Sequence, residues 1–372
     1  MWLRLLKQNP YKRSWKHRLL QIIKYTYCSV TATLLFKKKY RSQIAHGNMA
    51  SVKLLKPQIR DYKAFWKMMN KPVETRTVEL CYNLSGHFDL RIMPEDIFRA
   101  DVEPSLNCRN DLHFFANKNI YGKWFGTGIF PLDYFHKVGG VYYDRSLKVI
   151  ENINSYIEST EFIFPVVLKP STGSSGGKDI YFLQSRAEIA RTMDMFDNLV
   201  VQEELTQHSF LSAINPAGIN SVRVCIYRSV SDHSYHVLNA SLRMGKDGSL
   251  DNETAGGIVC NINDNGSLNH YAVDRYGITY SHHPNTGFVF QGNSLPYYEN
   301  LSHTALEIAR QIPVANLISL DLCLDIREVW RCLEVNLNLQ TIRFAQYAGK
   351  PFFREFTEEV MQYTKKHHWA LH

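Results

Sequence analysis

The sequence predicts an α+β protein of several packed lobes, with a basic helical arm in front of a body whose second half is built from short strands. Three observations predict it. A chain of 372 residues, 45% hydrophobic and 21% charged, exceeds one small core and suits two or three lobes of ordinary globular composition. From about residue 160 the pattern changes to apolar, β-branched runs separated by turn signals. Residues 318–325 and 328–338 alternate apolar and polar positions and are joined by a tight connection, which reads as an antiparallel hairpin.

Charge divides the chain. Of 43 Lys and Arg, 14 fall within residues 1–60, where there is no Asp or Glu; the other 29 face 35 acidic residues. The body is mildly acidic, and the excess positive charge sits in the arm, which suggests an anionic partner for it. Residues 1–60 read as helical and partly amphipathic, with Trp2, Leu3, Leu5, Leu6, Trp15, Leu19, Leu20, Ile22 and Ile23 among Lys and Arg. Two readings stand side by side: an interfacial helix on an anionic membrane surface, or a solvated helical hairpin packed on the body. A transit peptide would share this composition. The most apolar stretch, 19–36, contains Lys24 and several hydroxyls, and a membrane span is not expected. The start lacks the pattern of a secretory signal. Seven scattered Cys with no C-x-x-C pair form neither a disulfide framework nor a zinc site, so a reducing, cytoplasmic setting is expected. Aromatics in the arm do not form a base-stacking pattern, and no nucleic-acid partner is expected.

The elements follow in order. Residues 61–150 mix short helices and loops. Residues 162–169 form a strand ending in Lys169-Pro170, followed by Ser171-Thr172-Gly173-Ser174-Ser175-Gly176-Gly177-Lys178 and a returning strand at 180–183. Ser185 and Glu188 make a capping box, so a helix is expected over 186–197. Strands follow at 199–205, 220–230 and 235–244, with turns at Lys246-Asp247-Gly248 and Asn263-Asp264-Asn265-Gly266. Helices are expected over 297–311 and 352–367. The expected organisation is a basic arm (1–60), an N-terminal region (61–160), a lobe with the Gly-rich loop (161–205) and a C-terminal lobe (206–372).

Two constellations carry chemistry. A Lys at a strand exit, then a loop rich in Gly and Ser, suits a phosphate: the loop turns N–H groups inward and Lys169 adds a point charge. It is not a Walker loop. A flexible hairpin tip with a solvated Lys is the plainer account. In the second constellation, Glu334 and Asn336 lie two apart on one strand and share a face. A two-residue turn at Arg327-Glu328 would set Asp321 directly opposite Glu334. Facing carboxylates repel, and a divalent cation would turn that cost into binding. Oxygen donors of this kind suit Mg²⁺ or Mn²⁺ rather than Zn²⁺. A solvated, Lys- or Arg-paired acidic face is the alternative.

Together these residues resemble the ATP-grasp superfamily, with the Lys-Pro exit and Gly-rich loop, the strand Val200-Val201-Gln202-Glu203-Glu204-Leu205, and Asp321, Glu334 and Asn336 in the expected order. A closer resemblance, over residues 105–355, is to the sugar-transfer-associated ATP-grasp family. It rests on Gln207-His208, Asn220-Ser221-Val222-Arg223-Val224, Leu242-Arg243-Met244-Gly245, Asp251-Asn252, Gly256-Gly257-Ile258 and His283-Pro284-x-Thr286-Gly287. The chain departs from the family pattern in having Leu320 before Asp321 and Val335 between Glu334 and Asn336, but the ligand types survive.

The resemblance implies an ATP-grasp fold, in which two α+β lobes with antiparallel sheets clamp ATP. It implies ATP binding by Lys123, 46 residues before Lys169 (Lys118 competes), and by Lys169, Ser171, Gly173, Ser174, Ser175, Gly176 and Gly177. Gln202, Glu203, Glu204 and Leu205 would frame adenine and ribose, and Asp321, Glu334 and Asn336 would bind Mg²⁺ or Mn²⁺. The activity implied is carboxylate–amine ligation through an acyl phosphate, on a sugar acid or glycan precursor. Arg223, on an otherwise apolar strand where an unpaired Arg is costly, is the candidate for stabilising the oxyanion, with Arg243 second; an ion pair to Asp251 or another carboxylate is the alternative for Arg223. His208, Asp251, Asn252 and His283 are candidate substrate contacts. A kinase of a sugar or glycan would use the same grip, and a nucleotide-binding scaffold at the membrane would use it without turnover.

Overall fold

The computed structural model describes residue 7 and residues 13–45, 54–107, 110–126, 128–173, 179–249, 251 and 255–371, positions 44 and 45 in backbone only. Within the expected Gly-rich loop, Ser174, Ser175, Gly176 and Gly177 lie outside the described residues, as does Asn252.

Two antiparallel sheets carry the body. The smaller contains β1 (Asp133–Val138), β2 (Val141–Asp144), β3 (Val166–Pro170), β4 (Tyr181–Leu183) and β5 (Leu199–Glu203), in the order β2-β1-β5-β3-β4. The larger contains β6 (Ser221–Arg228), β7 (Tyr235–Met244), β8 (Ile258–Ile262), β9 (Leu268–Asp274), β10 (Thr279–Tyr280), β11 (Leu317–Leu324) and β12 (Trp330–Asn336), in the order β10-β9-β8-β7-β6-β11-β12. The expected strands at 162–169, 180–183, 199–205, 220–230 and 235–244 are present, and so is the Ser185 cap, whose hydroxyl accepts from Glu188 N–H at 3.3 Å. Helices Tyr298–Arg310 and Thr357–Lys366 stand where they were expected, the second shorter at its start.

The first sheet begins at Asp133, not at 161. The hairpin β1–β2 was not foreseen within a region read as helices and loops. Its turn is Gly139-Gly140, with φ of 56° and 85°. Such a turn needs two left-handed residues, which Gly adopts without penalty.

Binary patterning divides each sheet into faces. In the small sheet Val166, Leu168, Leu199, Val201 and Phe135 join one core. Lys169, Val200 and Gln202, one residue out of phase, are buried on the opposite side. In the large sheet Val222, Val224, Leu242, Ile258, Cys260, Leu320 and Leu322 pack with helix Tyr298–Arg310 in the main core. The other face is covered at one end by helices from the N-terminal region and the C-terminus, through Cys225, Tyr227, Leu238, Val259 and Leu317. Its remaining stretch is polar.

Helix Trp15–Ala45 is packed on the body along one side. Tyr25, Ser29, Ala32, Phe36, Tyr40 and Gln43 recur at helical spacing and are all buried. Beneath it lies an ionic cluster. Asp101 accepts from the Tyr25 hydroxyl at 2.9 Å and lies 3.2 Å from the Lys71 ammonium and 3.1 Å from His368 Nε2. Tyr40 donates to Glu95 at 2.9 Å. Burial would raise the Asp101 carboxyl, but His368, Lys71 and Tyr25 outweigh it and hold it below the usual range. Since its folded value is depressed, its contribution is complete at neutral pH and is lost as pH falls through that value. Asp101→Ala strips the buried His368 of its counter-charge and leaves the almost fully buried Lys71 only the longer 3.8 Å pair to Asp96. It should destabilise the fold by about 3–5 kcal/mol, read from urea denaturation, with little change at neutral pH in variants of exposed acids such as Glu161.

Candidate functional site

The polar stretch of the large sheet faces the inner side of the small one, and their side chains form one charged cluster. The hairpin β11–β12 sets its geometry. Asp321 pairs with Glu334, Leu320 with Val335 and Ser319 with Asn336, as expected. The turn is different. The loop is Ile326-Arg327-Glu328, with Asp325 N–H bonded to Val329 O at 2.9 Å and Glu328 at φ 64°. Nearer the turn Leu322 pairs with Cys332, so one extra residue, Leu333, is inserted into β12. This bulge offsets the longer loop and returns Glu334 to its place opposite Asp321.

Asp321 is shared by two arginines. Arg223 binds it through two hydrogen bonds, 2.8 and 2.7 Å, from the adjacent position of β6, and Arg243 reaches it at 3.1 Å from β7. The Asn336 amide lies 3.3 Å away. Burial opposes the carboxylate charge, but the two guanidiniums outweigh it and hold Asp321 far below the usual carboxylate range. The Arg223 ion pair was one of the two roles expected of it, and Asp321 is the partner. Asp251 belongs to the same cluster: it accepts a short hydrogen bond from Ser221, and burial raises its carboxyl while Arg243 and Arg223 pull it down.

Opposite Asp321, Glu334 is met by a lysine, and that lysine is Lys118. Its ammonium lies 2.7 Å from Glu334 and its backbone N–H bonds to Ser171 O at 2.9 Å. Asn117 caps this turn, its side chain accepting from Asn119 N–H at 3.0 Å. Lys123 is a correction. It lies on the next helical turn, exposed, with its ammonium 3.4 Å from Ser146 O. Five residues along a helix rotate a side chain by more than a third of a turn, so Lys118 and Lys123 cannot share this face. Lys169 does reach the cluster. It is buried, and burial together with nearby Lys118 lowers its pKa to about 8 against the pull of Glu334 and Asp133. At the strand exit the Ser171 hydroxyl is buried without a hydrogen-bond partner among the described residues, and Gly173 has φ 74°.

Gln202 is buried and donates to Asp133 at 2.5 Å. Burial raises Asp133 to about 6 and lowers neighbouring His136 to about 4, so their 3.7 Å approach is not an ion pair at neutral pH. Glu203 is held by Arg331 at 2.7 Å and by Leu132 N–H at 2.9 Å. Its carboxylate thus ties the small sheet to β12. Glu204 is exposed beyond it, and Leu205 is half-buried past the end of β5. Arg331 also reaches Phe130 O at 2.7 Å and Asp325 at 3.4 Å.

The histidines are architectural. His208 caps helix Ser209–Ile214, its Nδ1 accepting from Phe210 N–H at 3.1 Å. His283 has no exposed surface, and its Nε2–H donates to Gly245 O at 2.8 Å. Full burial removes it from any substrate's reach, which corrects the expectation; it anchors the turn that leads to Asp251. Gly245 is needed there, because a Cβ would lie 2.0 Å from Ser249 O.

Arg331 and Asp133 were not singled out; Lys118 stood only as the competitor of Lys123, and Ser221 only within a motif. Arg331 stands on an apolar strand as Arg223 does, and the same cost of an unpaired buried guanidinium marks it.

Among the described residues no group of three or more His, Cys, Asp or Glu is placed to hold a metal ion. Two carboxylates and an amide do converge in Asp321, Glu334 and Asn336. These donors fit a divalent cation that keeps part of its water shell, and arginine and lysine cations already neutralise the same oxygens.

A family model described as sugar-transfer associated ATP-grasp matches residues 97–362. No curated protein matches the sequence. Among solved structures, N5-carboxyaminoimidazole synthetase from Staphylococcus aureus, complexed with ADP, has a TM-score of 0.37 at 8% identity, over 61% of this chain and 46% of that one. L-amino acid ligase from Bacillus licheniformis gives 0.38 at 10%, over 68% and 49%. D-alanine–D-alanine ligase from Bacillus anthracis gives 0.38 at 13%, over 68% and 67%. The chain spans about half the length of the first structures it matches. No activity follows from likenesses this remote.

Proposed function

The chain belongs to the sugar-transfer associated ATP-grasp family, and we propose that it is an ATP-dependent carboxylate–amine ligase acting through an acyl phosphate on a sugar acid or glycan precursor, in the cytoplasm. The observation that carries the reading is the convergence of Lys118 and Lys169, two buried lysines from separate segments, beside Glu334. Like charges so placed are costly, and an anion bearing several negative oxygens relieves the cost.

In this reading the substrate carboxylate attacks the γ-phosphorus of ATP, and ADP leaves. The amine then attacks the acyl phosphate, loses a proton, and expels inorganic phosphate to leave an amide. Lys118 and Lys169 neutralise phosphate oxygens, and Ser171 offers its hydroxyl. Asp321, Glu334 and Asn336 would hold Mg²⁺ or Mn²⁺, which supplies charge neutralisation at the phosphates. Arg223, with its side chain 22% exposed against 7% for Arg243, is the more accessible of the two and would stabilise the developing oxyanion. The choice of a sugar acid or glycan precursor follows the family description.

Three measurements test this. With ATP, Mg²⁺ and panels of sugar acids and amines, phosphate release should need both partners. The product should be lighter by one water than their sum, and Glu334→Ala should abolish it. A product heavier by one phosphoryl group would assign a kinase instead. Lys118→Met should weaken nucleotide binding by about tenfold or more, the value of a lost charge-assisted contact. Lys123→Met should stay near wild type; the reverse ranking would return the role to Lys123.

The lowered Lys169 pKa gives a pH signature. In the free protein Lys169 loses its proton as pH rises through about 8. A bound phosphate favours the charged form and restores a higher value, so nucleotide binding takes up a proton above pH 8 and weakens as pH rises further. Calorimetry in two buffers of different ionisation enthalpy should show this uptake, and Lys169→Met should remove it.

A further inference from the structure

Helix Trp15–Ala45 carries a second apolar face, turned away from the body. Trp15 is 69% exposed, Leu19 48%, Ile23 56%, Tyr27 70%, Val30 49% and Leu34 61%. Their steps of four, four, four, three and four residues keep them on one stripe. The stripe runs for about 29 Å at 1.5 Å per residue. Large exposed apolar surfaces of this kind mark a partner.

The charges name its chemistry. Arg13 and Lys16 stand exposed at one end, Lys38 and Arg41 at the other, and between residues 19 and 36 the one charged side chain is Lys24. No acidic residue occurs in residues 1–60. Of the acids that meet the helix, Glu95, Asp96 and Asp101 lie buried beneath its inner face, and the partly exposed Glu74 pairs with Lys37 at 3.3 Å beside it. A second copy docked on the stripe would bring basic ends together in either orientation, because both ends are basic.

The helix is long and apolar enough to cross a membrane by length and composition. Its inner face argues against crossing. Tyr25, Ser29, Tyr40 and Gln43 are buried against the body along that side, above the Lys71–Asp101 ion pair. A spanning helix would have to carry these polar contacts into hydrocarbon, where ionised groups are costly.

We propose that this face docks on an anionic membrane surface. The helix lies in the plane of the interface, with the stripe at the acyl boundary and Arg13, Lys16, Lys38 and Arg41 at the phosphate headgroups. The body is thereby carried at the membrane with a fixed orientation, independently of which reaction its site performs.

Flotation of the full chain with phosphatidylcholine vesicles, with and without phosphatidylglycerol, tests it. Binding is expected to the anionic vesicles and to fall with added salt. The triple variant Ile23→Ser, Tyr27→Ser, Leu34→Ser should bind about a hundredfold more weakly. Each of Lys16→Gln, Lys38→Gln and Arg41→Gln should cost about fivefold. The serine variant should keep the wild-type melting temperature and nucleotide affinity, since these side chains touch solvent. The proposal is overturned if neither vesicle binds, or if the serine variant floats like wild type. It is equally overturned if protein resists an alkaline wash, as a spanning helix would. A concentration-dependent dimer that the serine variant abolishes, without vesicle binding, would assign the face to a second copy.

Discussion

The polar face of the large sheet depends on one electrostatic constraint: two carboxylates on neighbouring strands, Asp321 and Glu334, sit directly opposite each other in a partly buried cleft. They repel unless cations intervene. Two arginines settle on Asp321 and one lysine on Glu334. The cations come from four places in the chain, β6, β7, the Lys118 turn and, at greater range, the end of β3. The cleft is thus charge-balanced by positive groups from separate segments, an arrangement suited to exchanging one set of ionic partners for another when a polyanion and a divalent cation enter.

That opposition is built by compensating irregularities. A two-residue turn would have produced it directly. Instead the connection has three residues, which moves the pairing by one, and the bulge at Leu333 moves it back. A one-residue slip in a strand exchanges its two faces. Without the bulge, Glu334 would point with Val335's neighbours into the apolar core and Leu333 would face the arginines. The bulge bends the strand beside the site, and this is where such features concentrate.

Much of this was legible in the sequence, and what was missed has physical causes. Strands with clear alternation, such as 235–244 apart from the adjacent Val237 and Leu238, were placed at their ends, because a half-buried sheet dictates its own pattern. The β1–β2 hairpin was passed over because its strands mix aromatic and charged residues, although Gly139-Gly140 announced a turn. The Asp321–Glu334 pairing was anticipated from a wrong turn and holds because the bulge cancels the error. Lys118 and Lys123 could not be separated by spacing from Lys169. What separates them is a backbone bond from Lys118 to Ser171, a contact between segments 53 residues apart that no local pattern encodes.

Part of each motif specific to the family is architectural, beside the Arg223, Arg243 and Asp251 that enter the charged cluster. Gln207 binds the carbonyls of Asn215 and Gly218 and accepts from Asn220; Asn220, wholly buried, bonds back to Leu211 and Asn215; His208 caps the helix between them. His283 and Gly245 hold the turn that leads to Asp251. Such networks need several exact residue types at once, because each buried polar group must find its partner. Groups that meet a phosphate or a cation are less demanding of their neighbours: a lysine needs reach, and a carboxylate needs a face. Long specific motifs therefore hold scaffold and site residues together, Arg223 and Arg243 among them, while Lys118, Lys169 and Glu334 are single residues that rotation, register and burial bring to the same cluster.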